Sequence, residues 1–445
     1  MNDNIKLSEE KLMKKLVIVC FLGDPTLPAV SVKHTGGFQV DIQELLHYTS
    51  KTPCPIHVIT NTSPYCTQLF EEKNSYCIHR VPFDNMWLED QNLLMENIEH
   101  IENSFFKIIS EIGIENTVIH SFYWLSGILA LEAKKNYNIN YVHSVVSLAA
   151  GKTISGSTPY FSAQFDYEKR FLKAASTIFS ITYAEKEHLQ KYYDIGAEKI
   201  IVVGRDVHPA FLHPSHHFDG TPEGIKKAGT GVFPVELIKY PWWMQGAYTF
   251  VGRIQIIKGL HYILSAWMKL YEKYDVFTPP LWICGGAPEN IRDFRIELKE
   301  YVDMNLLEQY EKMQKVVWWG YLDPAGLSTI MLKTRVLVTH SLYEPGGRVL
   351  LEALASSVPV IATPNGFAKD MICNNKNGFL VDYGDIKELT VAMEYFMTDS
   401  NSYLEMKKCA HETYEKQFRE WNCYKNHFQV YKQLGLDEFD ENLII

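Results

Sequence analysis

The stretch Ser341-Leu-Tyr-Glu-Pro-Gly-Gly-Arg-Val-Leu-Leu-Glu-Ala-Leu-Ala355 decides how the rest of the chain is read. Just before it, Arg335 to Thr339 holds the apolar run Val336-Leu-Val338, which reads as a short buried strand. Val349 to Ala355 carries strong helix formers and no breaker, so it reads as a helix. Between them, Pro345 and the pair Gly346-Gly347 mark a tight turn, where backbone can approach a ligand with no Cβ in the way. A helix starting there offers backbone N–H groups and the positive end of its dipole, which suits a phosphate. Glu344 stands on the loop, and Glu352, eight residues on, falls in the second helical turn. Two carboxyl groups around an anion-receptive turn describe a polar site. The same spacing also fits an ordinary strand-turn-helix with two surface glutamates.

Working outward, the 445 residues, 46% of them hydrophobic, suffice for two packed cores of ordinary domain size. Net charge is −10 with no long basic block, which argues against nucleic acid as a partner. Eight cysteines are scattered without a Cys-x-x-Cys pair, and a chain this large needs no staples. Reduced thiols and a cytoplasmic location are therefore expected. The apolar run Leu16 to Leu22 is too short for a membrane span or a signal-peptide core, and reads as a first buried strand. No other stretch reaches membrane length, so no integral membrane segment is expected.

Strands are expected at Leu16–Cys20, Ile56–Thr60, Cys77–Val81, Thr117–Ser121, Asn140–His143, Thr177–Thr182 and Ile200–Val203, interleaved with helices. A second series follows at Tyr248–Val251, Leu281–Gly286, Val316–Gly320, Arg335–Thr339, Pro359–Thr363 and Gly378–Val381. Alternation of this kind predicts an α/β protein with two doubly wound domains facing a central cleft, ligands gathering at the carboxyl ends of the strands. The expected divisions are a first domain at 1–212, a linker or insertion at 213–245, a second domain at 246–402 and C-terminal helices at 403–445. Within the insertion, Trp242 and Trp243 read either as an aromatic platform for a ligand or as a hydrophobic plug.

Two further turns stand out. Gly36-Gly37 opens a helix running through Tyr48, as a ligand-binding turn or as a simple helix cap. Gly252-Arg253 follows a strand, and Lys258-Gly259 opens the helix Leu260 to Tyr274. An arginine fork and a mobile lysine at a strand end and helix start suit a diphosphate.

Glu344 and Glu352 inside EPGGRVLLEALASSVPVIAT, with Val251-Gly-Arg253 and Lys258-Gly259 at the spacing Val-Gly-Arg-x-x-x-x-Lys-Gly, resemble a known family. It is that of retaining, nucleotide-sugar-dependent glycosyltransferases of the GT-B architecture, group-1/family-4 type. The nearest branch is sucrose-phosphate-synthase-like or mycothiol-pathway-like. The resemblance implies two Rossmann-like domains, with the last helices crossing back to the first. It implies that Glu344 contacts the donor sugar and Glu352 the ribose. Gly346, Gly347 and Arg348 then receive the diphosphate, and Arg253 and Lys258 stabilise its charge as it leaves. Tyr321, after the strand ending at Gly320, falls near the base, and Gly36 and Gly37 close on the diphosphate or the acceptor.

The segment His120-Ser-Phe-Tyr-Trp-Leu-Ser-Gly127 is similar to the family's His-x-His-Tyr-Trp-x-x-Gly, with Phe122 in place of the second histidine. His120 itself reads as a satisfied histidine at a strand end. Near Ser147-Leu148 the family places another histidine; one alignment puts Val146 there, and the other nominates His143 as a catalytic candidate. Lys152 reads as ligand-facing or solvated. Arg205 departs from the family's usual loop after the last strand of the first domain.

The activity implied is hexosyl transfer from a nucleoside diphosphate sugar, UDP-Glc or UDP-GlcNAc, to a hydroxyl of a soluble small-molecule acceptor. Configuration is retained by front-face attack, with the leaving phosphate as base. No Asp-x-Asp pair lies near the candidate sugar site, so no cofactor and no essential metal are expected. A homo-oligomer is compatible. The alternatives are a nucleotide-sugar-binding protein that has lost catalysis, and a phosphorylase or epimerase on the same fold.

Overall fold

Strand β1 (Lys15–Val19) shows why the chain packs as it does. Leu16, Ile18 and Cys20 face one side, Val17, Val19 and Phe21 the other, and all six are fully buried. A strand covered on both faces reads as a continuous apolar run, and its sheet must carry helices on both sides. The computed structural model describes residues 13–27, 37–84, 86–154, 156, 163–212, 246–286, 288–398, 400–418 and 423–439. The expected insertion at 213–245, with Trp242 and Trp243, and Gly36 lie outside these residues.

The chain divides into two compact units, residues 1–205 with 422–445, and residues 206–421. In the first, β1 is joined by β2 (Ile56–Asn61), β3 (Phe70–Glu72), β4 (Cys77–Val81), β5 (Thr117–Phe122), β6 (Asn140–Ser144), β7 (Thr177–Ser180) and β8 (Ile200–Val202). The order is β3-β4-β2-β1-β5-β6-β7-β8, parallel except for the β3–β4 pair. One face is covered by α1 (Gly37–Thr49) and the C-terminal helix Cys423–Gln433. On the other lie α2 (Ile98–Ile112), α3 (Tyr123–Tyr137), α4 (Ala149–Ile154) and α5 (Gln164–Ala174). In α2 the buried residues Ile101, Phe105, Ile109 and Ile112 form a single stripe, as expected of a helix lying on a sheet.

The second unit holds β9 (Ala247–Val251), β10 (Leu281–Cys284), β11 (Val316–Gly320), β12 (Thr334–Val338), β13 (Val360–Ala362) and β14 (Gly378–Leu380). Its order is β11-β10-β9-β12-β13-β14, all parallel. The chain runs outward one way from β9 and the other way from β12. The loops leaving β9 and β12 therefore lie side by side at the switch point, where open α/β sheets bind ligands. Helices α6 (Leu260–Tyr274), α7 (Arg348–Ala355), α8 (Gly366–Met371), α9 (Ile386–Thr398) and α10 (Ser400–Gln417) complete this unit.

The units divide at Arg205/Asp206 and Trp421/Asn422, where the sequence suggested 212/213 and 402/403. The later division has a packing reason. Met406 of α10 is buried in the second unit's core and α10 lies against α7, so only the helix from Cys423 joins the first unit. The C-terminal helices expected from residue 403 onward are Ser400–Gln417 and Cys423–Gln433. Strand β3 and the helix Met304–Lys312 went unread in the sequence, being short and mostly polar.

Candidate functional site

The switch-point loops of the second unit are held together by main chain. Leu342 N donates to Ile257 O at 2.9 Å, tying the loop after β12 to the loop after β9. Thr363 Oγ1 and Asn365 Nδ2 donate to Ser341 O at 2.6 and 2.9 Å, anchoring the same loop from the end of β13. Two glycines let backbone pass close. At Gly259 (φ +70°) a Cβ would lie 1.9 Å from His340 O, and at Gly366 (φ +47°) a Cβ would lie 1.9 Å from Glu344 O. Any side chain at either position meets a carbonyl that cannot give way, so both are glycine for steric reasons.

On this frame the Lys258 ammonium contacts Glu344 Oε2 at 2.5 Å, and Glu344 Oε1 accepts from Gly347 N at 3.2 Å. Gly347 precedes α7, so the Glu344 carboxylate binds at the start of that helix as well as to a lysine. It occupies a seat built for an anion, combining a cation with an amide at a helix N-terminus. The two side chains are 12% and 31% exposed, so the pair is partly open to solvent. Glu352 follows in the second turn of α7 and is 7% exposed. Arg348 Nη1 donates to Asp206 O at 3.4 Å. Arg253 is exposed two residues beyond β9, and Tyr321 follows β11 at 42% exposure.

The structure thus brings together Lys258, Glu344, Gly346, Gly347, Arg348 and Glu352 in one unit, with Arg253 and Tyr321 on loops at the ends of its strands. The sequence reading assigned nothing to His340, Thr363, Asn365 or Gly366. His340 is fully buried at the end of β12, its Nε2 accepting from Gly384 N at 2.8 Å. Burial, then the nearby His261, lowers its pKa to about 4, so the ring is neutral and Nδ1 carries the proton. The grip of Asn365 and Gly366 on the Glu344 loop depends on contacts across more than 20 residues, which no local pattern reports.

His143 belongs to the first unit. Its Nδ1 lies 2.9 Å from Ser121 Oγ, its ring packs on Phe171, and burial lowers its pKa to about 3. It is a neutral, enclosed core histidine, 3% exposed. His120 is also buried and satisfied, with Nε2 2.7 Å from Ser144 Oγ and Nδ1 2.5 Å from Tyr431 Oη. Gly37 opens α1. Lys152 on α4 is buried near Glu168, whose carboxylate accepts from Ala149 N, Gln164 Nε2 and the Tyr193 hydroxyl. Burial pushes the Glu168 carboxyl up to about 7. Among the described residues no group of three or more His, Cys, Asp and Glu is arranged to hold a metal, and no helix is long and apolar enough to cross a membrane.

Comparison with known proteins adds the family. Residues 245–413 match Glycosyl transferases group 1, and residues 35–210 match Glycosyltransferase Family 4. The chain is 25% identical over 409 residues to a D-inositol 3-phosphate glycosyltransferase of Corynebacterium urealyticum, covering 90% of this chain and 91% of the relative. It is 24% identical over 384 residues to the protein of that name from Pseudarthrobacter chlorophenolicus, covering 84% and 85%. Among solved structures, sucrose-phosphate synthase from Thermosynechococcus elongatus superposes with a TM-score of 0.75 at 19% identity, over 95% of this chain and 99% of that one. Anabaena HepE in complex with UDP-glucose superposes at 0.68 and 14% identity, over 94% and 99%. With each half matched and both Rossmann-like α/β units in place, the chain belongs to the glycosyltransferase group-1/family-4 superfamily and has the GT-B fold.

Proposed function

We propose that this chain is a retaining glycosyltransferase that moves glucose or N-acetylglucosamine from a UDP-sugar to a hydroxyl of a soluble small-molecule acceptor. The observation that carries the reading is the anion seat at the switch point, where the Glu344 carboxylate lies against Lys258 and the amide of Gly347. A diphosphate fits the same seat better, having more negative charge and more acceptor oxygens. Glu344, once displaced, is free to turn to the donor sugar, and Glu352 is one helical turn further on for the ribose hydroxyls. HepE, of the same fold, was solved with UDP and with UDP-glucose, which supports a uridine nucleotide as the ligand.

In the reaction the bond from the sugar's anomeric carbon to the β-phosphate oxygen breaks, and one to the acceptor oxygen forms on the same face. The acceptor proton passes to the departing phosphate oxygen. Lys258 and Arg253 stabilise the charge that builds on the diphosphate, the role a divalent ion would otherwise fill. The eight cysteines, all free thiols, support a reducing, cytoplasmic setting.

The test is a mass-spectrometric screen of UDP-, GDP- and ADP-sugars with pooled acceptors, run on wild type, Lys258→Ala and Glu344→Gln. Sugar transfer from a UDP-sugar that collapses in both variants supports the reading. Donor binding without turnover in wild type would leave a nucleotide-sugar-binding protein instead. Consumption of phosphate, or a free epimer without an acceptor product, would point to the phosphorylase or epimerase.

A further inference from the structure

His340 makes more contacts than the end of a strand requires. The chain leaves the second unit's sheet just after β12, where Thr339 N donates to Ile361 O at 2.8 Å. At the next residue the backbone crosses Gly259, the neighbour of Lys258, so closely that a Cβ on Gly259 would lie 1.9 Å from His340 O. Glu344 follows on the same loop and receives the Lys258 ammonium. His340 therefore sits where the two loops that bring Lys258 to Glu344 cross.

The imidazole holds this crossing from a third side. It is fully buried, lies nearly parallel to Tyr383 (18°, centroids 5.5 Å apart) and meets Tyr262 of α6 edge-on at 5.6 Å. Nε2 accepts from Gly384 N at 2.8 Å, which ties the end of β12 to the loop between β14 and α9. Nδ1 then carries the proton, and it has no hydrogen-bond partner among the described residues. A buried N–H without an acceptor destabilises the fold. A phenylalanine would fill the seat between Tyr262 and Tyr383 with no such cost. What an apolar side chain lacks is the acceptor for Gly384 N, so that acceptor is what the imidazole contributes.

Resting on the transferase reading, in which Lys258 and Glu344 serve the donor, we infer that His340 is a positioning residue of that site. Its ring, anchored by Gly384, sets where the chain after β12 crosses Gly259, and so holds Lys258 and Glu344 in place for a diphosphate. Buried as it is, it acts through the two loops it joins. Without the acceptor the crossing is free to shift, and the Lys258 ammonium loses its fixed place.

The test uses the full chain and two complementary variants. His340→Phe keeps a ring and removes the acceptor, whereas His340→Gln removes the ring and returns an acceptor. Lysine acylation by acetic anhydride without nucleotide, read by peptide mass spectrometry, reports on Lys258, and UDP is titrated by calorimetry into the same samples. Lys315 is the internal control, since it is buried in the same unit with Nζ donating to Val276 O and Thr278 O at 2.8 and 2.9 Å. In His340→Phe, Lys258 is expected to react at least about fivefold faster relative to Lys315, and UDP to bind about tenfold more weakly. His340→Gln should recover both to within about threefold of wild type. An unchanged Lys258 rate or UDP affinity in His340→Phe, a rise shared equally by Lys315, or no recovery in His340→Gln would overturn the inference. If wild type binds no UDP, the donor assignment is refuted instead, and the ratio of Lys258 to Lys315 still decides for or against His340.

Discussion

Glu344 bridges Lys258 at 2.5 Å and Gly347 N at 3.2 Å, so a diphosphate taking this seat must displace it from both. Glu344→Ala removes the competitor. A charged hydrogen bond contributes about 1.5–3 kcal/mol when buried. This pair is 12% and 31% exposed, and screening brings its share nearer to about 1 kcal/mol. UDP should therefore bind Glu344→Ala some ~3- to 10-fold more tightly than wild type. Sugar transfer, which needs the carboxylate at the donor sugar, should fall by at least about 100-fold. Lys258→Ala acts the other way. Loss of one cation-phosphate contact, about 1.5–3 kcal/mol, weakens UDP by roughly 10- to 150-fold. The assay is isothermal titration of UDP at fixed ionic strength into wild type, both single variants and the double variant. In the double variant the gain from Glu344→Ala should shrink to the share that comes from freeing the Gly347 amide, because no lysine remains to be released. If Glu344→Ala instead weakens UDP as strongly as Lys258→Ala does, the carboxylate belongs to the nucleotide contacts and the anion-seat argument is wrong.

Three further outcomes follow from other parts of the molecule. Glu352→Gln should weaken UDP by about tenfold and leave inorganic pyrophosphate unaffected, since only UDP has a ribose; equal losses for both ligands would deny Glu352 that role. Gly366→Ala must place a methyl 1.9 Å from the Glu344 carbonyl oxygen at a φ of +47°. A loss of about 2–4 kcal/mol and a melting point several degrees lower are expected, and an unchanged melting point would contradict the close approach. The third concerns pH. His427 is buried beside His120 and Asp41; burial lowers its pKa from 6.5 to about 4, and His120 lies well below its ordinary value for the same cause. The unfolded chain then binds more protons than the folded one, so their stability is fully present above pH 6.5 and is lost as pH falls towards 4. For His427 alone the loss amounts to roughly 3 kcal/mol. Melting temperature against pH should decline across that window, and less steeply in His427→Gln; a flat profile in wild type would contradict it.

Much of the fold was legible because its signals are local. The continuous apolar run Leu16-Val-Ile-Val-Cys-Phe21, the pattern of a strand buried on both faces, needs no partner to be recognised. The turn at Gly346-Gly347 and the helix after it depend on a few residues each, and α7 begins at Arg348 with Glu352 in its second turn. Where the signal was weak, so was the reading. The three residues of β3, Phe70-Glu-Glu72, look like loop, and nothing local shows that the buried faces of α10 and the C-terminal helix serve different cores.

From its sequence alone the protein has two series of alternating strands and helices, a glycine turn suited to phosphate, and two acids and two cations at set spacings. Tertiary structure alone decided that Lys258 meets Glu344 across 86 residues, that Gly366 rather than a larger residue must pass the Glu344 carbonyl, and that His340 reaches Gly384 beyond β14. The reason is physical. Periodicity and turn chemistry act over one or two turns of chain, whereas the order of strands in a sheet is settled by packing between distant segments. That order places the loops after β9 and β12 side by side and thereby makes a binding site out of residues that no local pattern connects.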